Sequence, residues 1–167
     1  MKRLIILLLS VMMLLTGCTS TKNISRTVQF YYIHNEIEFG SKSGVIASNT
    51  VQIKYKNEDN LQILNRYFNG PTNYECISPF PAGITLIDFE TTQDTARLTL
   101  SPHMSMLSGI DFTVACACLT RTVIELTGVQ TVHLSIQDNL IDGQESIRLT
   151  MSSFTYWDDT DLNQSGR

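Results

Sequence analysis

Apolar positions along this chain follow two rhythms, one of every second residue and one of every third or fourth. The switches between them outline the elements. Val28 to His34 is aromatic and β-branched, which favours a strand. Val51, Ile53 and Tyr55 alternate with Gln52, Lys54 and Lys56, the pattern of a strand with one buried face. The period then lengthens. Leu61, Leu64 and Phe68 share one helical face, with Ile63 and Tyr67 beside it. Asp59 with Gln62 three residues on is a capping signature. Gly70-Pro71 predicts an abrupt stop, because glycine suits the left-handed cap and proline cannot continue a helix.

Asn69 to Gly83 carries Pro71, Pro79 and Pro81 and reads as irregular. Ile84–Glu90 and Ala96–Ser101 flank Thr92–Thr95, which predicts a hairpin. In its second strand Ala96, Leu98 and Leu100 point one way, and Arg97 and Thr99 the other. Ser108 with Asp111 opens a second helix that Gly128 ends. Its stripe is Phe112, Cys116, Leu119, Val123 and Leu126, which makes it the most buried-looking helix of the chain. Val132, Leu134 and Ile136 then alternate with Thr131, His133 and Ser135, and Ile147, Leu149 and Met151 mark a last strand after a turn near Asp142-Gly143. This order predicts a single α+β domain: one mixed or antiparallel sheet with two helices packed on one face.

The N-terminus follows neither rhythm. Met1-Lys2-Arg3 is basic, Leu4 to Leu15 is apolar but for Ser10, and Leu15-Thr16-Gly17-Cys18 closes the segment. That is the layout of a secretory signal. Leu4 to Gly17 is 14 residues, short of the ~20 a transmembrane helix needs. The four closing residues fit the lipobox of bacterial lipoprotein signals. That resemblance implies a diacylglyceryl group on the Cys18 thiol, cleavage before Cys18, and anchoring on the extracytoplasmic face of the cell membrane. Two acyl chains hold stably where one is reversible. The domain plan is therefore signal 1–17, lipidated tether 18–27, folded domain 28–155 and polar tail 156–167. Within the tether, the eight polar residues Thr19 to Arg26 reach at most ~28 Å at ~3.5 Å each.

Removing the signal takes Lys2 and Arg3, so 12 basic residues become 10 against 16 acidic ones. An acidic chain without clustered Lys and Arg argues against nucleic-acid or anionic-lipid binding. With Cys18 lipidated, Cys76, Cys116 and Cys118 remain, an odd count without a disulfide framework. The sequence leaves open whether Cys76 pairs with Cys116 or Cys118. Residues two apart on a helix point about 200° apart, so Cys116 and Cys118 cannot bridge each other or clamp one ion. Cys116 belongs to the core stripe, and Cys118 is expected on the opposite, more exposed face near Arg121 and Glu125. His34, His103 and His133 sit in no ligand-like spacing. No motif with a catalytic mechanism, cofactor fingerprint or metal spacing is present. The outward parities Arg97, Thr99, Thr131, His133 and Ser135 form a candidate partner face on the sheet.

At Phe68-Asn69-Gly70-Pro71 the sequence begins to resemble the sporulation and spore germination domain, GerMN. The resemblance continues through the proline–glycine lead-in Pro81-Ala82-Gly83-Ile84-Thr85-Leu86. It takes in the strand Ala96–Ser101, and the helix exit and strand Gly128–Ile136. It covers roughly residues 28–155. The resemblance implies a non-catalytic α+β module related to ring-building motifs. Such modules are often carried on lipoproteins of spore-forming Gram-positive bacteria, where they take part in assembling an envelope-spanning sporulation complex. Two features depart from the family pattern. The sporulation protein that names the domain has two tandem copies, and this chain holds one. The glycine that often follows the last conserved strand is here Asp138-Asn139.

Three functions are compatible with these readings. One is an interaction and assembly module that binds envelope proteins. The second is a ligand-binding envelope lipoprotein for a small molecule or cell-wall fragment, which needs a deep pocket with converging polar groups. The third is an enzyme using Cys76 or Cys118, which needs a close Cys–His pair such as Cys76 with His103.

Overall fold

The computed structural model describes residues 26–35, 45–53 and 58–154. The signal, Cys18, the Gly40–Gly44 loop and the tail 156–167 lie outside the described residues. Strand β1 (Arg26–His34) begins two residues before the expected domain boundary and pairs antiparallel with β2 (Ile46–Ile53). Helix α1 (Asn60–Phe68) starts where the capping signature placed it: the Asp59 carboxylate accepts the Gln62 N–H at 2.8 Å. Its buried residues are Ile63, Leu64 and Tyr67, so the stripe is rotated from the expected one and Leu61 is 38% exposed. Gly70 ends the helix region at φ +92°, a conformation that costs glycine nothing. The irregular stretch then contributes a short strand, β3 (Cys76–Ile77), paired with the end of β1.

The predicted hairpin is β4 (Leu86–Thr91) with β5 (Thr95–Leu100). After a 3-10 turn at Pro102–Met106 comes helix α2 (Gly109–Thr127). Ser108 occupies its N-cap position without a side-chain hydrogen bond, while Gly128 closes it in the left-handed region at φ +79°. Strand β6 (Thr131–Ile136) returns parallel to β5, a pairing that needs the crossover α2 supplies. Strand β7 (Ile147–Leu149) runs antiparallel to β6. Met151 leaves the expected last strand and opens a 3-10 turn instead.

The α+β class, the two helices and the mixed pairing hold, but the strands divide between two sheets rather than forming one. The orders are β2-β1-β3 and β4-β5-β6-β7. The edge of β1 explains the division. Along a strand, backbone groups alternate between its two edges. The His34 N–H turns to Val45 O and the Asn35 N–H to Glu75 O, so Tyr31 faces the β3 edge, where strand pairing stops after two residues. There the Tyr31 N–H donates to Thr122 Oγ1 at 3.0 Å and the Tyr31 carbonyl accepts from Tyr67 Oη at 2.8 Å. Side chains of both helices thus occupy the edge that a further strand would use. Arg26 donates to Leu126 O at 2.6 Å along the same helix. The Tyr31 hydroxyl bonds Glu125, and Arg121 lies 4.4 Å over its ring.

One apolar core joins the two sheets and both helices. It runs from Phe30, Tyr32, Ile63, Leu64 and Tyr67 to Leu98, Leu100, Leu119, Val123 and Leu134. At the first end Phe30, Tyr32, Tyr67, Phe68 and Phe80 pack with centroids 5.0–6.4 Å apart. Buried tyrosines need a partner for the hydroxyl, and Tyr32 donates to Tyr67 O at 3.0 Å. At the other end each fully buried leucine contributes about 1.5–3 kcal/mol of transfer free energy.

Candidate functional site

The four-stranded sheet turns Ala96, Leu98 and Leu100 of β5 and Val132, Leu134 and Ile136 of β6 into the core. Their neighbours along each strand therefore face away from it. Register sets these outward residues in rows. Glu90 of β4, Arg97 of β5, His133 of β6 and Arg148 of β7 are successive cross-strand partners. Asp88, Thr99 and Ser135 form the next row. Asp88, Glu90, Arg97 and Arg148 are exposed, and Thr99, His133 and Ser135 are half-buried.

Of the expected partner face, Arg97, Thr99, His133 and Ser135 are brought together in this way. Thr131 is not part of the open surface. It is 8% exposed, beneath the Arg148 side chain, whose Nη2 lies 3.4 Å from its Oγ1. Thr99 Oγ1 and Ser135 Oγ are 2.9 Å apart, and the Ser135 hydroxyl donates to Leu98 O at 3.1 Å. With that proton committed, the Thr99 hydroxyl donates to Ser135. The pair stiffens the face and offers acceptors rather than donors to a partner.

The thiols are free and buried: Cys76, Cys116 and Cys118 form no disulfide. Cys118 is 0% exposed, contrary to the expectation of an exposed face. The reason is that α2 contacts both β1 and β6, so its second face is covered as well as its first. Burial pushes the Cys116 and Cys118 thiols up to about 12, and burial raises Cys76 too. A thiol held protonated is a poor nucleophile and a poor metal ligand. His103 sits beside Ser101, with Nδ1 3.4 Å from the hydroxyl. His34 is the residue in register with Cys76, across the β1–β3 pair.

Residues 29–142 match the family model described as Germane: sporulation and spore germination. The chain belongs to this family. No curated protein matches it. Among solved structures, the Germane chain is similar to the first GerMN domain of the sporulation protein GerM from Bacillus subtilis. Identity is 15% and the TM-score 0.56, over 76% of this chain and 98% of that one. It is also similar to the tandem GerMN domains of the same protein, at 14% identity and TM-score 0.52, over 74% of this chain and 44% of that one. At such identities the likeness establishes the fold: one Germane unit, where that relative carries two.

Sequence reading missed Asp88, Glu90 and Arg148 on the open face. Their parity in β4 and β7 is legible, but β7 is three residues long and β4 carries a bulge at Ile87, so neither shows a sustained alternation. Among the described residues this Germane domain also bears shallow clefts, including one of about 240 Å³ lined by Ile136, Asp138, Asn139, Leu140 and Glu145. Another of about 240 Å³ is lined by Leu107, Phe112, Ile136, Leu140 and Ile141, and one of about 260 Å³ by His34, Asn35, Tyr74 and Glu75. All three fall below the ~300–1,000 Å³ usual for small-molecule pockets. Among the described residues no group of three His, Cys, Asp or Glu is placed to hold a metal ion.

Proposed function

We propose that this protein is a lipoprotein anchored through a diacylglyceryl group on Cys18, and that its Germane domain is a non-catalytic interaction module. It assembles envelope proteins outside the membrane, in sporulation or spore germination. The observation that carries this reading is the polar open face of the four-stranded sheet. Ordered side chains are presented there on rigid strands, with the core and both helices behind them. Family membership supplies the sporulation and germination context. Among the described residues, the buried, protonated thiols and the small clefts weigh against the enzyme and ligand-binding readings.

The test is crosslinking of the full-length chain in its own membranes, followed by identification of captured proteins. Wild type is expected to enrich a defined set of envelope proteins. Thr99→Glu with Ser135→Glu places like charges on the face, which can cost an interface several kcal/mol. That variant should fold and lose the set. Replacing Cys76, Cys116 and Cys118 by Ala should lower stability through small core cavities and keep the set. Capture lost with the cysteines but kept with the glutamates would reverse the proposal.

A further inference from the structure

The described residues include five basic side chains, all arginine: Arg26, Arg66, Arg97, Arg121 and Arg148. Three of them have a structural use. Arg26 donates to Leu126 O, Arg66 pairs with Glu58 at 2.7 Å, and Arg121 covers the Tyr31 ring. Arg97 and Arg148 are in no ion pair among the described residues, and Arg148 has only a long contact to the Thr131 hydroxyl. Both lie in the same row of the open face, on either side of His133. Glu90 stands directly across from Arg97, but Arg148 has no acidic residue opposite it, since its cross-strand partner is His133. The surrounding chain is acidic, with 16 acidic residues against 12 basic. Acidic residues of β4 bound the strip at one end, with Glu90 in its row and Asp88 in the next.

We infer that Arg97, His133 and Arg148 form a docking strip for a short acidic segment of a partner protein. The inference rests on the assembly reading and names the chemistry of the partner. Arginine favours carboxylates because its planar fork bonds them in pairs. Arg97 and Arg148 are two strand spacings apart, about 9.6 Å at ~4.8 Å each. Carboxylates on alternate residues of an extended peptide stand ~7 Å apart on one side, within reach of two flexible guanidiniums flanking an imidazole. The strip is short, and a long polyanion continuing past it would meet Glu90 and Asp88. This favours a bounded acidic peptide over a phosphate polymer.

Fluorescence anisotropy with the full-length chain in detergent tests the strip. The probe is a short labelled peptide in which Asp alternates with Ser, against the same peptide with Asn. Wild type should bind the Asp peptide at least about tenfold more tightly, an advantage that falls with added salt as charges are screened. Arg97→Gln with Arg148→Gln should remove that advantage while the circular dichroism spectrum stays unchanged. Arg97→Lys with Arg148→Lys should retain part of it. Equal binding by wild type and the glutamine variant would overturn the inference. So would tighter binding of inorganic polyphosphate at matched charge. A several-fold tightening on removal of residues 156–167 would assign the strip to the chain's own acidic tail instead. Envelope proteins still captured by the glutamine variant would also overturn the strip and leave the assembly role standing. Peptide binding without any captured envelope protein would support the strip and remove the assembly role.

Discussion

Cys118 shows how a single residue reads differently in sequence and in space. An amphipathic stripe implies an exposed opposite face, and by that rule Cys118 belongs outside. Yet residues 115 to 120 of α2 are buried without interruption, because the helix is enclosed on two sides. The uncharged run Val114-Ala115-Cys116-Ala117-Cys118-Leu119 was the available signal, since a helix apolar all round is a buried one. In the native protein Cys76, at 6% exposed, should react with a thiol reagent before Cys116 and Cys118, at 2% and 0%. Peptide mapping by mass spectrometry checks the order, and early modification of Cys118 would contradict it. The raised thiols also set an alkaline limit. Their protonated state is favoured by folding, so their contribution is complete below the unfolded value near 9 and is lost as pH rises toward about 12. Each thiol then lowers stability by about 1.4 kcal/mol per pH unit in that window. Denaturant unfolding at pH 8 and pH 10.5 should show a smaller loss for Cys116→Ala with Cys118→Ala than for wild type. Asp138 makes a related point. It takes the left-handed region at φ 57° just after β6, and aspartate is among the residues that tolerate that conformation.

Among the elements, β1 carries the most consequence. Its aromatic, β-branched composition announced a strand, but not what would lie along its second edge. Unpaired edges invite further pairing, and here Thr122 and Tyr67 satisfy the Tyr31 N–H and carbonyl instead. Thr122→Val keeps the shape and removes the acceptor, leaving a buried N–H without a partner. The expected loss is about 1–3 kcal/mol. Thr113→Val also removes a hydroxyl from α2, but at an exposed position where it bonds Gly109 O at 3.0 Å. It should change stability by less than ~0.5 kcal/mol. Denaturant unfolding of the two variants compares them directly, and equal effects would mean that the edge contact is not what Thr122 contributes. Helix ends were more legible than edges: Asp59, Gly70 and Gly128 act where their residue types predict. Ser108 marks its helix start by position alone.

For the whole molecule, the proposed lipid anchor and the fold concern different parts of one chain. If Cys18 carries the lipid, Cys18→Ser should abolish incorporation of a fatty-acid analogue in metabolic labelling and leave the protein uncleaved or released. Equal labelling of the variant would remove the lipoprotein reading. The folded domain should be unaffected, since among the described residues its core begins at Val28. Circular dichroism of both forms should agree.

What the sequence by itself determined is what is encoded within one turn or one strand. That includes the existence and type of nearly every element, the helix stops, the inward parities of β5 and β6, and hence an α+β class. These follow from periodicity and from the backbone preferences of Gly, Pro and Asp, which act over a few residues. Only the tertiary structure decided which edges meet. The division into two sheets depends on Thr122 and Tyr67 reaching Tyr31 from helices far along the chain. The strip of Arg97, His133 and Arg148 depends on the pairing of β5, β6 and β7, so a sequence with no basic cluster in its linear order acquires a small one in space. Register is set by long-range packing of buried faces against one another, and no local window of residues contains that information.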